Sequence, residues 1–194
     1  MLAALHDMLA GGEAEISSTS MMLCYHACMT TRGIEYFPQP EDWTDGLLHE
    51  LGYRRYAVSV FDHWLTEEEW EINPFIAFER ARAAGVEAVY REQCYQFRDF
   101  YQCLFKEGAF RLTGLRSKRQ VVWHDRWDRR LKKAVTAMVS DQRWGAEFYA
   151  PAEHLRIISG DVRTDTLLLE DSADEKALEN LANKFGLNFI RSKI

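Results

Sequence analysis

Along this chain the spacing of apolar positions changes repeatedly, and each change predicts an element. Met21–His26 is a short apolar run behind the polar Ser17–Ser20, the pattern of a strand. Pro38-Gln39-Pro40 interrupts the chain, after which Glu41 to Leu51 takes helical spacing and stops at Gly52. Tyr56 to Phe61 is strand-like. Thr66 and Glu69 form a capping box, the hydroxyl and carboxylate that satisfy the free N–H groups of a helix start. Pro74 falls inside that helix and predicts a break, with helix resuming to about Ala84 before Gly85. A long helix rich in Tyr and Phe follows from Val86 or Glu87 to Lys106, and Gly108 ends it.

Beyond Gly108 the period shortens. Ala109 to Thr113, Arg119 to Trp123, Glu147 to Ala150, His154 to Ile158 and Thr166 to Glu170 read as short strands. One helix interrupts them, from Arg126 to about Ser140, with Leu131, Ala134, Val135 and Met138 on one face and the basic residues outside it. Ser172 with Glu175 suggests a second capping box. It opens a helix whose Ala177, Leu178, Leu181, Ala182 and Phe185 form a stripe up to Gly186, and Leu187 to Ile190 closes as a strand. The expected fold is α+β. Helices lie mainly in the N-terminal half, followed by a mixed or antiparallel sheet of short strands with a basic helix and a C-terminal helix packed on it.

Composition narrows this further. With 194 residues, 47% of them hydrophobic, the chain can bury one core, so residues 1–194 are expected to form a single domain. Four prolines and eleven glycines argue against a disordered or fibrous protein. No apolar run approaches the roughly 20 residues of a membrane-spanning helix, and the N-terminus lacks the pattern of a signal peptide. A cytoplasmic protein with no membrane partner is therefore expected. Cys24, Cys28, Cys94 and Cys103 lack the tight pair spacing of a structural zinc site and sit among apolar neighbours, as reduced core thiols do. Asp62-His63 and His124-Asp125 lack a third ligand at helical spacing, so no metal is expected.

Charge is distributed unevenly. Arg111 to Lys133 carries nine basic residues against two acids, +7 in a chain whose net charge is −6, which leaves −13 elsewhere. Such an island concentrates an anionic partner locally. Arg116, Lys118 and Arg119 lie in a turn after Gly114 suited to phosphate, although the Walker spacing is absent. Trp123 and Trp127, interleaved with Arg126 and Arg130, suit the stacking of bases if exposed. A solvated helix face is the plain alternative for these cations. The acidic run Glu67–Glu71 reads first as a helix start favoured by the helix dipole.

Two further windows carry chemistry. Tyr25-His26-Ala27 ends the first predicted strand and is followed by Arg32-Gly33-Ile34. Far downstream, Glu147 opens a strand that leads through Pro151 to Leu155-Arg156-Ile157-Ile158. This arrangement resembles the ADP-ribosyltransferase-like superfamily. The resemblance implies NAD as cofactor, with Tyr25 and His26 at the nicotinamide ribose and Arg32 at a phosphate. It makes His26 and Glu147 the catalytic pair, with Glu147 binding a ribose hydroxyl and polarising the attacking group. A carboxylate there would stabilise the positive charge that builds on the ribose as the glycosidic bond breaks. The plain alternatives are a strand-end histidine bonded to backbone, and a solvent-facing carboxylate or one paired with Arg143. Two functions stay open. One is an NAD-using transferase with an anionic acceptor, a nucleic acid among the candidates. The other is a non-catalytic binding protein, such as an inhibitor, an immunity-type partner or a nucleoprotein-complex subunit, that uses residues 111–133 as its interface.

Overall fold

A computed structural model describes residues 33–38, 44–114, 119–141, 145–160 and 163–191. The expected strand Met21–His26 lies outside them. Among the described residues six α-helices and one seven-stranded sheet bear out the α+β expectation.

Local chemistry explains the first half. Helix α1 (Asp45–Glu50) starts where the Thr44 hydroxyl accepts the Leu47 N–H at 3.3 Å. Strand β1 (Tyr53–Ser59) begins three residues before the expected Tyr56. Its added Arg54 and Arg55 are accommodated by Glu175 at 2.9 Å and Asp45 at 3.2 Å. The Thr66–Glu69 box opens α2 (Glu67–Ile72), with both reciprocal bonds formed at 3.2 and 2.8 Å. At Pro74 the helix breaks as expected. The Asn73 side chain accepts the Phe75 N–H at 2.8 Å to start a single 3₁₀ turn, and α3 (Phe78–Ala83) resumes beyond it. Then α4 (Glu87–Leu104) runs as one long helix.

The sheet comprises β2 (Ala109–Thr113), β3 (Gln120–His124), β4 (Glu147–Ala150), β5 (Leu155–Ile158), β6 (Thr164–Glu170) and β7 (Asn188–Arg191) together with β1, in the order β3-β2-β4-β5-β6-β1-β7. Every pairing is antiparallel. One face takes α4, α5 (Arg129–Asp141) and α6 (Glu175–Lys184): Phe97, Tyr101 and Leu104 of α4, with Phe105 just beyond its end, meet Leu131 and Val135 of α5, Leu178 of α6, and Phe148, Ile157 and Leu167 of the strands. On the opposite face Phe37, Val121 and Tyr149 form one cluster and Leu48, Tyr53 and Leu168 another. Leu167, Leu168 and Leu169 are consequently all fully buried, the continuous apolar run of a strand covered on both sides.

Two helix starts differ from the expectation. Helix α6 is capped by Asp174, whose carboxylate accepts the Ala177 N–H at 2.9 Å, rather than by Ser172. Glu175 is drawn away to Tyr56 at 2.6 Å, Arg54 and Arg191, so it is not free to close a box. Helix α5 starts at Arg129 because the Asp128 carboxylate accepts the Leu131 N–H at 2.7 Å.

Candidate functional site

The face carrying Phe37 and Tyr149 brings Glu147 into a buried network. The register sets Glu147 opposite Leu112 and Ile158, with Arg156 opposite Tyr149 on the same side of the sheet. Arg156 is fully buried and donates to the Glu147 carboxylate and to the Pro38 carbonyl, the latter at 2.6 Å, while its guanidinium lies 5.6 Å from the Phe37 ring centroid. Tyr36 stacks on Tyr149, rings 4.1 Å apart and 6° from parallel. The Tyr149 hydroxyl donates to Glu170 at 2.8 Å, and His154 meets the other Glu170 oxygen at 3.2 Å. Burial, with the Glu170 carboxylate accepting its proton, holds the Tyr149 phenol far above the ordinary range, so it acts as a fixed donor.

Glu147 is thus buried and paired with Arg156 rather than solvent-facing; Arg143 lies outside the described residues. So do Tyr25, His26 and Arg32. Gly33, the next residue, does lie on the Glu147 face: a Cβ added to it would stand 3.0 Å from the Phe110 ring. The clefts between α3 and α4, beside β1 and beside α6 are all lined without Glu147.

The basic segment forms the β3 end of the sheet. β3 is an edge strand and leads into α5. Arg119, Arg126, Arg129, Arg130, Lys132 and Lys133 are all exposed, and among the described residues none has an ion pair. Helical spacing sets Arg129 and Lys133 opposite the buried Leu131, Val135 and Met138, with Arg130 and Lys132 on the flanks. The structure does not bring the two tryptophans together. Trp123 packs on Phe110 at 4.6 Å on the Glu147 face, whereas Trp127 packs towards Phe105 at 6.5 Å on the helix face. Arg116 and Lys118 lie outside the described residues.

His124 is buried and meets Asp128, not its neighbour Asp125, at 3.2 Å. The Leu131 N–H, followed by His124, holds the Asp128 carboxyl below its usual range. His63 sits between Asp62 at 2.7 Å and Glu69 at 3.1 Å, and both carboxylates raise its pKa, Asp62 first. Among the described residues no group of three His, Cys, Asp or Glu side chains is placed to hold a metal ion.

Sequence reasoning missed three buried charges: Arg156, Arg163 and Asp165. The one available signal was Arg156 itself, a lone cation inside the aliphatic run Leu155–Ile158, which a central strand tolerates only with a partner. Set against profiles of known families, against curated proteins and against solved structures, the chain and its fold give no match.

Proposed function

We propose that this protein is a binding module that engages a polyanion, most simply the phosphate backbone of a nucleic acid, through the β3–α5 end of its sheet. One observation carries the reading. Arg54, Arg55, Arg91, Arg98, Arg156, Lys176 and Arg191 each hold a carboxylate, whereas the six exposed cations from Arg119 to Lys133 have none among the described residues. An acidic chain with many carboxylates to spare leaves these cations, close together in one segment, for something else; the other exposed cations without an ion pair among the described residues, Arg80, Arg82 and Lys184, lie apart in α3 and α6. Because Trp123 and Trp127 occupy opposite faces, no shared stacking platform supports base reading, and binding through phosphates is tolerant of sequence.

Single-stranded DNA of mixed sequence, titrated by fluorescence anisotropy over a range of salt, tests this. Six phosphate contacts give a log–log salt slope of at most about 4. Neutralising Arg129, Arg130, Lys132 and Lys133 to Gln leaves two contacts and a slope of about 1.4. No binding at low salt, or an unchanged slope in the quadruple variant, refutes the reading.

A second reading, the NAD-using transferase, is supported by the placement of residues 33–38, the chain directly after Arg32, against the strand that carries Glu147. Arg156 joins the two through Pro38 and Glu147. For its carboxylate to serve a ligand, Glu147 must leave Arg156. Incubation with labelled NAD separates the readings: label transfer or hydrolysis that disappears in Glu147→Gln supports the transferase, and none in the native protein removes it.

A further inference from the structure

The start of α3 and one face of α4 enclose a cleft of about 540 Å³, with Ser140 of α5 at one end. That volume falls in the usual range for small-molecule sites. Helical spacing builds its long wall. Tyr90 with Cys94, and Arg91 with Tyr95, are pairs four residues apart on α4, so all four turn towards Phe78 and Glu79 of α3. Phe78 meets Tyr90 edge-on at 5.6 Å, which gives the cleft an aromatic lining.

What these walls leave uncommitted defines the chemistry. The Tyr90 hydroxyl donates to the Ser140 carbonyl at 3.4 Å, and the Cys94 thiol to the Val139 carbonyl at 3.4 Å. Arg91 is held by Glu87, through Nε at 3.1 Å and Nη2 at 2.7 Å. Glu79 differs from all of them: it is exposed, lines the cleft and has no ion pair among the described residues. Its charge is felt inside. Burial is the first cause that holds the Tyr90 phenol above its ordinary range, and the Glu79 carboxylate adds to it against the opposing charge of Arg163. The hydroxyls of Tyr95 and Ser140 can accept hydrogen bonds as well as donate them. An anion would find no uncommitted cation on these walls, whereas a cation finds a carboxylate.

The rings suit a cation too. Each one in the cleft already carries a guanidinium, Arg91 over Phe78 at 5.3 Å, Arg98 over Tyr95 at 4.9 Å and Arg163 over Tyr90 at 3.9 Å. Arg91 and Arg98 are compensated by Glu87 and Asp99, each at 2.7 Å. Aromatic walls beside one carboxylate supply both halves of amine recognition, an apolar bed with electron-rich faces and a fixed counter-charge.

We propose that this cleft binds a small organic amine in its ammonium form, its apolar body between Phe78, Tyr90 and Tyr95 and its charge at Glu79. One uncompensated carboxylate balances one charge, so a monoamine is favoured over a dication. The site is distinct from the β3–α5 surface and does not depend on what that surface binds.

The experiment titrates the full chain, isotope-labelled in Tyr and Phe, with phenethylammonium, the neutral phenethyl alcohol and the anionic phenylacetate at neutral pH. It is read by NMR on the ring resonances of Tyr90 and Tyr95, the latter identified by its loss in Tyr95→Leu. Phenethylammonium is expected to shift both rings saturably and to bind about fivefold or more tightly than the alcohol, with phenylacetate weakest. Glu79→Gln, an exposed substitution that leaves the fold intact, is expected to weaken the amine about threefold or more and to leave the alcohol unchanged. The proposal is overturned if the amine shifts neither ring, if the alcohol or phenylacetate binds as tightly as the amine, or if Glu79→Gln leaves amine binding unchanged.

Discussion

Removing one hydroxyl, in Tyr101→Phe, tests whether the buried Tyr101–Asp165 pair sets a pH dependence of stability. Both groups are enclosed between α4 and β6, and the phenol donates to the Asp165 carboxyl. Burial is the main cause that pushes Asp165 up to about 6 from 3.8; the Tyr101 and Gly160 hydrogen bonds and the Arg163 charge oppose it. A raised carboxyl means that the folded protein holds this proton more tightly than the unfolded chain. The contribution is therefore complete below about pH 4 and is lost as pH rises through about 6, a fall of about 3 kcal/mol for a shift of about two units. In Tyr101→Phe the ionised form loses its best donor. Above about pH 7 the variant should lose a charge-assisted bond, about 1.5–3 kcal/mol, and near pH 5 only a neutral one, about 0.5–1.5 kcal/mol. Urea unfolding followed by tryptophan fluorescence at the two pH values measures both. Equal losses at both would show that Asp165 does not ionise in the fold. Asp165→Asn should abolish the wild-type slope between about pH 4 and 6.

Breaking the buried Glu147–Arg156 pair by Arg156→Met should cost about 3–5 kcal/mol, whereas Arg156→Met with Glu147→Leu should recover most of it; denaturant midpoints of the single and double variants decide. Asp174→Ala should cost about 1 kcal/mol and Ser172→Ala less than about 0.5, since only Asp174 caps α6. Leu178→Ala should cost about 2–5 kcal/mol, and Leu181→Ala less because it is only partly buried, as thermal unfolding would show. By NMR, His63 should titrate above the ordinary imidazole range, and Glu69→Gln should lower that midpoint by removing one of its two carboxylates.

What could be read in the sequence was what is local. The Thr66–Glu69 box, the break at Pro74 and the α6 stripe each depend on neighbours within a few residues, and each formed as its spacing demands. Where two local options competed, long-range contacts decided. Ser172 and Asp174 both stand at capping distance from a helix start, and Asp174 won because Glu175 is occupied by Tyr56, Arg54 and Arg191. The buried polar groups were illegible for the same reason. Arg156 finds Glu147 only through the β4–β5 register, and Asp165 finds Tyr101 across 64 positions. The two tryptophans of the basic segment are four residues apart in sequence, yet the turn from β3 into α5 sends them to opposite faces.

The strand order has a consequence for how the chain reaches this state. The β2–β3 hairpin and the β4–β5–β6 meander join neighbours in sequence and can assemble soon after they are made. β1 cannot: it is made first and seated late, because both its partners come from the far end, with Ser59 meeting Thr164 across 105 positions. Until then β6 offers an unsatisfied edge bearing three consecutive leucines. In the native sheet all three leucines are fully buried. During slow synthesis or refolding from denaturant that edge is the most adhesive part, and aggregates formed under those conditions should be joined through β6.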